Sequence, residues 1–165
     1  MGVTLIGVAT AADYHWKFNN LNDLDGWTLD GWTNKDVVNG TLKATATRGN
    51  PFIFTPKVEI NADNQGSIMF SMKINRGIPM KGCILFITED RPNYIDAALV
   101  SFLCKTDGES HEYEIDMSKN PLWKGKVTQL RFQLNYPGTL SQDQRTVEIE
   151  YFRVPDSMSP AAKRP

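Results

Sequence analysis

Two cysteines and two histidines are all that the 165 residues offer for thiol, imidazole or soft-metal chemistry. Neither Cys83 nor Cys104 has a histidine or another cysteine at metal or redox spacing, which removes zinc and dithiol signatures. His15 and His111 stand in no nucleophile motif, and there is no Gly-rich phosphate loop, Ser elbow or zinc signature. Charge of one sign is also missing. A formal net charge of −1, with only Lys163-Arg164 locally cationic, gives no electrostatic basis for binding nucleic acid or an anionic membrane. No apolar run approaches the roughly 18 residues of a membrane span. Sustained helical periodicity is absent as well, leaving room for one turn over residues 118–124.

What remains is strand. Residues 67–74 place Ile68, Phe70, Met72 and Ile74 on one face, and 112–117 alternate with Tyr113, Ile115 and Met117 inward. Residues 127–135 direct Leu130, Phe132 and Leu134 inward, with Gln129, Arg131, Gln133 and Asn135 outward. Residues 146–154 alternate through Val147, Ile149 and Tyr151, while 82–88 and 97–104 are short apolar runs suited to buried strands. Earlier strands are expected over 13–18, 37–47 and 52–60. Turn signals separate these segments: Asn39-Gly40, Gly49-Asn50-Pro51, Asn75-Arg76-Gly77, Asp107-Gly108 and Pro137-Gly138. Many short strands with frequent turns specify an all-β, two-sheet antiparallel sandwich. The length suits one well-cored domain, and 41% hydrophobic with 22% charged residues is an ordinary globular composition.

The domain is expected over residues 13–155. Before it, the apolar run 3–9 and the small residues Ala9-Thr10-Ala11-Ala12 read either as the end of a signal peptide lacking its basic region or as a leader or first strand. After it, residues 156–165 are polar and Pro-containing, the composition of a linker or tail. Export would leave the cysteines free to pair. An approximate register of the 83–104 hairpin puts Cys83 opposite Phe102, with Cys104 a diagonal neighbour on the same face, and admits two readings: a disulfide after a small change of register, or two buried free thiols.

The repeat Asp25-Gly26-Trp27-Thr28-Leu29-Asp30-Gly31-Trp32-Thr33 sets two tryptophans five residues apart, each behind an Asp-Gly turn signal. In an extended chain that odd spacing sends the rings to opposite faces, unless the second Asp-Gly breaks the parity.

Tyr14-His15-Trp16-Lys17-Phe18-Asn19, followed by Asp25-Gly26-Trp27, resembles the opening strand and Gly-Trp turn of jelly-roll carbohydrate-binding modules of the galactose-binding-like superfamily. Val38-Asn39-Gly40-Thr41-Leu42 and Gly49-Asn50-Pro51-Phe52-Ile53 resemble their next strand and Gly-Asp-Pro loop. Trp123-Lys124-Gly125-Lys126-Val127, Leu130-Arg131-Phe132 and Val147-Glu148-Ile149-Glu150-Tyr151-Phe152-Arg153-Val154 resemble their closing half. The resemblance spans roughly residues 13–154 and implies a jelly roll that binds polysaccharide without catalysis, exported and attached to a glycan-degrading enzyme. It also implies a structural calcium, whose ligand positions fall on Asn19 and Glu150 with the carbonyls of Lys17 and Lys43.

Through the same resemblance Trp27 and Trp123 are core residues, and Trp16 shares inward parity with Tyr14 and Phe18. Trp32, Tyr94 and Tyr136 are then the aromatics left to cover a sugar's apolar face, Trp32 foremost. Arg48, Arg91, Asn93, Arg131, Gln133 and Asn135 supply polar contacts. Two locations compete: a sheet face around Arg131 and Gln133, and a loop edge built from Trp32, Arg48, Arg91 and Tyr94. Arginines at either would suit a carboxylated or sulfated glycan. Two other functions stand beside this one. The fold can serve as a structural or protein-interaction domain of an exported enzyme. The carboxylates Glu112, Glu114 and Asp116, on one face of a strand, could also belong to a small glycan lyase or hydrolase, although such a row is more often a solvated surface.

Overall fold

The alternating segments become strands in a computed structural model that describes residues 13–74, 80–136 and 145–156. The strands are β1 (Tyr14–Trp16), β2 (Thr28–Asp30), β3 (Trp32–Val38), β4 (Thr41–Ala46), β5 (Phe52–Phe54) and β6 (Ile60–Asn61). They continue as β7 (Ser67–Ile74), β8 (Met80–Thr88), β9 (Leu99–Cys104), β10 (Ser110–Asp116), β11 (Lys126–Asn135) and β12 (Thr146–Val154). One 3-10 turn, Met117–Lys119, occupies part of the segment reserved for a helical turn. The leader expected over 1–12, residues 157–165 of the tail, and the turns Asn75-Arg76-Gly77 and Pro137-Gly138 lie outside the described residues.

One sheet runs β10-β7-β12-β4-β3, with β1 also on β12; the other runs β2-β5-β11-β8-β9, with β6 also on β11. Every pairing is antiparallel. The inward rows foreseen for β7, β10 and β11 are buried: Ile68, Phe70, Met72 and Ile74 meet Tyr113, Ile115, Leu130, Phe132 and Leu134 between the sheets. Phe70 joins the two layers. Its ring lies 4.9–5.7 Å from those of Tyr113 and Phe152 in its own sheet and of Phe102 and Phe132 in the other. Such ring pairs add about 0.5–1.5 kcal/mol each beyond simple burial.

Three expectations change. In β12 a bulge between Ile149 and Tyr151 shifts the parity, so Phe152 and Val154 enter the core and Tyr151 turns outward, donating to Glu112 at 3.1 Å. In the β8–β9 hairpin Cys83 faces Ser101 and Cys104 faces Met80, one residue away from the expected partner Phe102, which stands opposite Gly82. A one-residue offset reverses the face. Cys104 therefore lies in the core, Cys83 is buried on the outward side, and both are free thiols. Burial pushes the Cys104 thiol up to about 12 and raises that of Cys83.

The third change concerns the tryptophan repeat. Gly31, at φ +80°, passes the chain from β2 in one sheet to β3 in the other, so the spacing between Trp27 and Trp32 no longer assigns opposite faces. Both rings are buried. Trp32 is 6% exposed, meets Tyr136 edge-on at 6.2 Å, and donates its indole N–H to the Phe52 carbonyl at 3.1 Å. At the other end of β3, Asn39 (φ 52°) and Gly40 (φ 73°) form the two-residue turn that the Asn-Gly pair foretold.

Candidate functional site

Cross-strand partners share a face, so the register of the second sheet defines what it shows to solvent. One outward row reads Asp30, Phe52, Gln133, Cys83 and Ser101 across β2, β5, β11, β8 and β9. The next reads Thr28, Phe54, Arg131, Leu85 and Leu99. Phe52 and Phe54 flank the inward Ile53 by strand alternation and meet edge-on at 6.1 Å, both half-buried.

The β8–β9 loop returns over this face and lays Tyr94 on it. The Arg131 guanidinium is held between two rings, 4.3 Å from the centre of Phe52 and 4.7 Å from that of Tyr94. Tyr94 also touches Phe54 at 5.8 Å and donates its hydroxyl to Gln129 at 3.1 Å, while Gln129 donates to the Thr55 carbonyl at 2.9 Å. Burial raises the Tyr94 hydroxyl well above its ordinary range against the opposing charge of Arg131, so it remains a proton donor. On the other side, Arg48 lies 4.7 Å over Phe52 and is forked onto Asp30 at 2.9 and 3.3 Å. The two expected locations thus converge on one platform, with Phe52 shared by Arg48 and Arg131.

The remaining candidates separate from it. Trp32 and Tyr136, the latter 5% exposed, are core residues, which corrects the expectation that they present rings to a ligand. Trp32 opens β3 directly after the Gly31 turn, and Tyr136 follows the last residue of β11. Arg91 lies over the core ring of Phe86 at 5.2 Å, on the inward side, and Asn93 is exposed in the loop. Gln133 stays on the platform row and donates to Asn135 at 3.0 Å. Phe52 and Phe54 join the platform although neither stands among the residues expected there. Their signal was the run Phe52-Ile53-Phe54, apolar on both faces in a strand of which one face meets solvent. Beside Gln129 a cleft of about 490 Å³ opens, lined by Tyr14, Lys57, Val58, Glu59, Ile87 and Pro92 among others.

The outward face of the first sheet has a different chemistry. Lys43 and Lys73 clasp Glu148 at 2.6 and 3.4 Å, and Arg153 pairs with Asp13 at 3.2 Å. Burial opposes ionisation of Glu148, yet the two lysines outweigh it and hold its carboxyl below the ordinary value. Glu112, Glu114 and Asp116 stand exposed on β10; Glu112 accepts from Tyr151, and Asp116 caps the 3-10 turn.

The four calcium positions, Asn19, Glu150 and the carbonyls of Lys17 and Lys43, all fall among the described residues. They hold a single carboxylate, Glu150, whose oxygens accept from Ser71 at 3.2 Å and Ser110 at 3.3 Å. Lys43 sits inside β4 between β12 and β3, where its backbone faces ladder partners on both sides. Among the described residues no three His, Cys, Asp or Glu side chains gather as a metal set. The melting temperature is accordingly expected to be unchanged by EDTA in a thermal denaturation experiment; a fall reversed by calcium would restore the ion.

No protein-family model matches the chain, and a search of curated proteins finds no match. Solved structures do match. A low-affinity xylan-binding module, CBM86, from the gut symbiont Roseburia intestinalis superposes with a TM-score of 0.55 at 10% identity, over 87% of this chain and 94% of that one. The K1 cleaved adhesin domain of Lys-gingipain from Porphyromonas gingivalis gives 0.57 at 11% identity, over 88% and 98%. The glycoside hydrolase domain structure of Endo-D from Streptococcus pneumoniae gives 0.56 at 14% identity, over 81% of this chain and 22% of that one. The chain is therefore an all-β, two-sheet sandwich with the fold shared by jelly-roll carbohydrate-binding modules and adhesin domains.

Proposed function

We propose that this domain is a non-catalytic polysaccharide-binding module, exported and attached to a glycan-degrading enzyme, which grips its polymer on the outward face of the second sheet. The observation that supports it is the platform of Phe52, Phe54 and Tyr94 with Arg131 between two of the rings. Sugar rings offer apolar C–H faces that aromatic side chains cover at little entropic cost, and Arg48, Gln133 and Asn135 surround the platform with polar groups for hydroxyls. A sandwich of this shape recurs both as a xylan-binding module and as a part of a far longer glycosidase chain, which is what an appended targeting domain requires.

A second reading, a protein-interaction domain, draws on the adhesin-domain likeness and on Leu103, 72% exposed on the outward face opposite Lys81. Affinity electrophoresis through gels containing neutral, uronic and sulfated polysaccharides separates the two. Retarded migration in at least one gel is expected for a binding module. Unretarded migration in all of them would favour the protein-interaction reading, and release of reducing ends or unsaturated products would reveal an enzyme.

A further inference from the structure

We propose that the platform selects acidic glycans, carboxylated or sulfated, and that Arg131 is the residue that reads the oxyanion. The inference rests on the polysaccharide-binding reading and goes on to name its substrate class. Of the two guanidiniums on Phe52, Arg48 is already neutralised by the fork onto Asp30. Arg131 is not. Among the described residues it has neither a carboxylate nor a hydrogen-bond acceptor, and its Nε is shielded from solvent without a partner. Phe52 and Tyr94 both lie against the guanidinium, at 4.3 and 4.7 Å, and its two terminal nitrogens, unlike Nε, are not shut off from solvent, so its remaining capacity lies in their N–H donors. A planar donor edge held in one orientation matches a carboxylate or sulfate oxygen pair.

The surrounding charge points the same way. Lys81 stands in the adjoining outward row, opposite Asn135 and Leu103, with no ion pair among the described residues. The platform rows contain one carboxylate, Asp30, which Arg48 occupies. Asp96, exposed in the covering loop, makes its charge felt at Cys83 but forms no ion pair with Arg131. The opposite sheet face, by contrast, holds Glu112, Glu114, Asp116, Glu148 and Glu150. The cations of that face, Lys43, Lys73 and Arg153, are paired there, whereas Arg131 and Lys81 on the platform side have no ion pair among the described residues.

The test uses the full chain in gels containing polygalacturonate, the same polymer after chemical reduction of its carboxyls, a sulfated galactan, and neutral arabinoxylan. Wild type is expected to be retarded by an acidic polymer, less so as salt rises. Arg131→Gln is expected to lose on the order of tenfold in affinity for that polymer, the scale of one charge-assisted hydrogen bond. If that polymer is polygalacturonate, carboxyl reduction should weaken wild type similarly and leave the variant little changed. Arg131→Lys keeps the charge without the fork and should fall between them; it also serves if the glutamine variant fails to fold. Retardation of wild type by neutral polymers alone would overturn the acidic selectivity while leaving polysaccharide binding standing. Equal loss on acidic and neutral polymers in a folded Arg131→Gln protein would overturn the oxyanion role. Passage unretarded through every gel would overturn the binding reading itself.

Discussion

Trp32→Ala is expected to lower the unfolding free energy by about 3–5 kcal/mol, the cost of emptying a large aromatic from a packed core. The ring sits between the sheets beside Tyr136, and its N–H fixes the carbonyl of Phe52. Removing it leaves a cavity and an acceptor without its donor. Trp32→Phe separates the two effects: most of the volume is kept, and loss of the hydrogen bond alone should cost about 1 kcal/mol. Urea denaturation followed by circular dichroism measures both. Glycan binding by the folded fraction of Trp32→Phe should stay close to wild type. A Trp32→Ala protein of undiminished stability that no longer binds would instead return Trp32 to the surface and discredit the buried placement.

Phe52→Ala is expected to have the opposite profile, a modest effect on folding and a large one on binding. The ring is half-buried on an outward row and is the shelf for Arg48 and Arg131 together. Burying a phenylalanine face against a sugar contributes about 1.5–3 kcal/mol, which corresponds to roughly tenfold to over a hundredfold in affinity. The loss should exceed that figure's lower end, since both guanidiniums lose their support. Calorimetric titration with an oligosaccharide of whichever polymer retards wild type gives the number. Unchanged affinity in a folded variant would move the site away from Phe52, with the cleft beside Gln129 as the next location to test.

These two residues show where the sequence was legible. The inward rows of β7, β10 and β11 could be read directly, because a period of two in an uninterrupted strand leaves one solution for which side is buried. That logic failed wherever one residue broke the count. A bulge after Ile149 exchanged Tyr151 for Phe152, and a one-residue offset placed Cys83 and Cys104 on opposite faces. Gly31 undid the parity of the tryptophans in the same manner. The site was half legible. Alternation along β11 is enough to turn Arg131 and Gln133 outward, and Arg48 and Tyr94 stand in loops that turn residues mark. That they belong to one platform could not be read, since β2, β5 and β11 are brought side by side only by sheet order.

The sequence by itself determined an all-β chain, its strand periodicities and the Asn39-Gly40 turn, because each depends on near neighbours along the chain. Only the tertiary structure decided that Trp32 is core, that Phe52 is the shared shelf, and that Arg131 has two rings and, among the described residues, no carboxylate. Those facts depend on which strands lie beside one another, and contacts between residues 37 and 79 positions apart leave no local trace in the order of the amino acids.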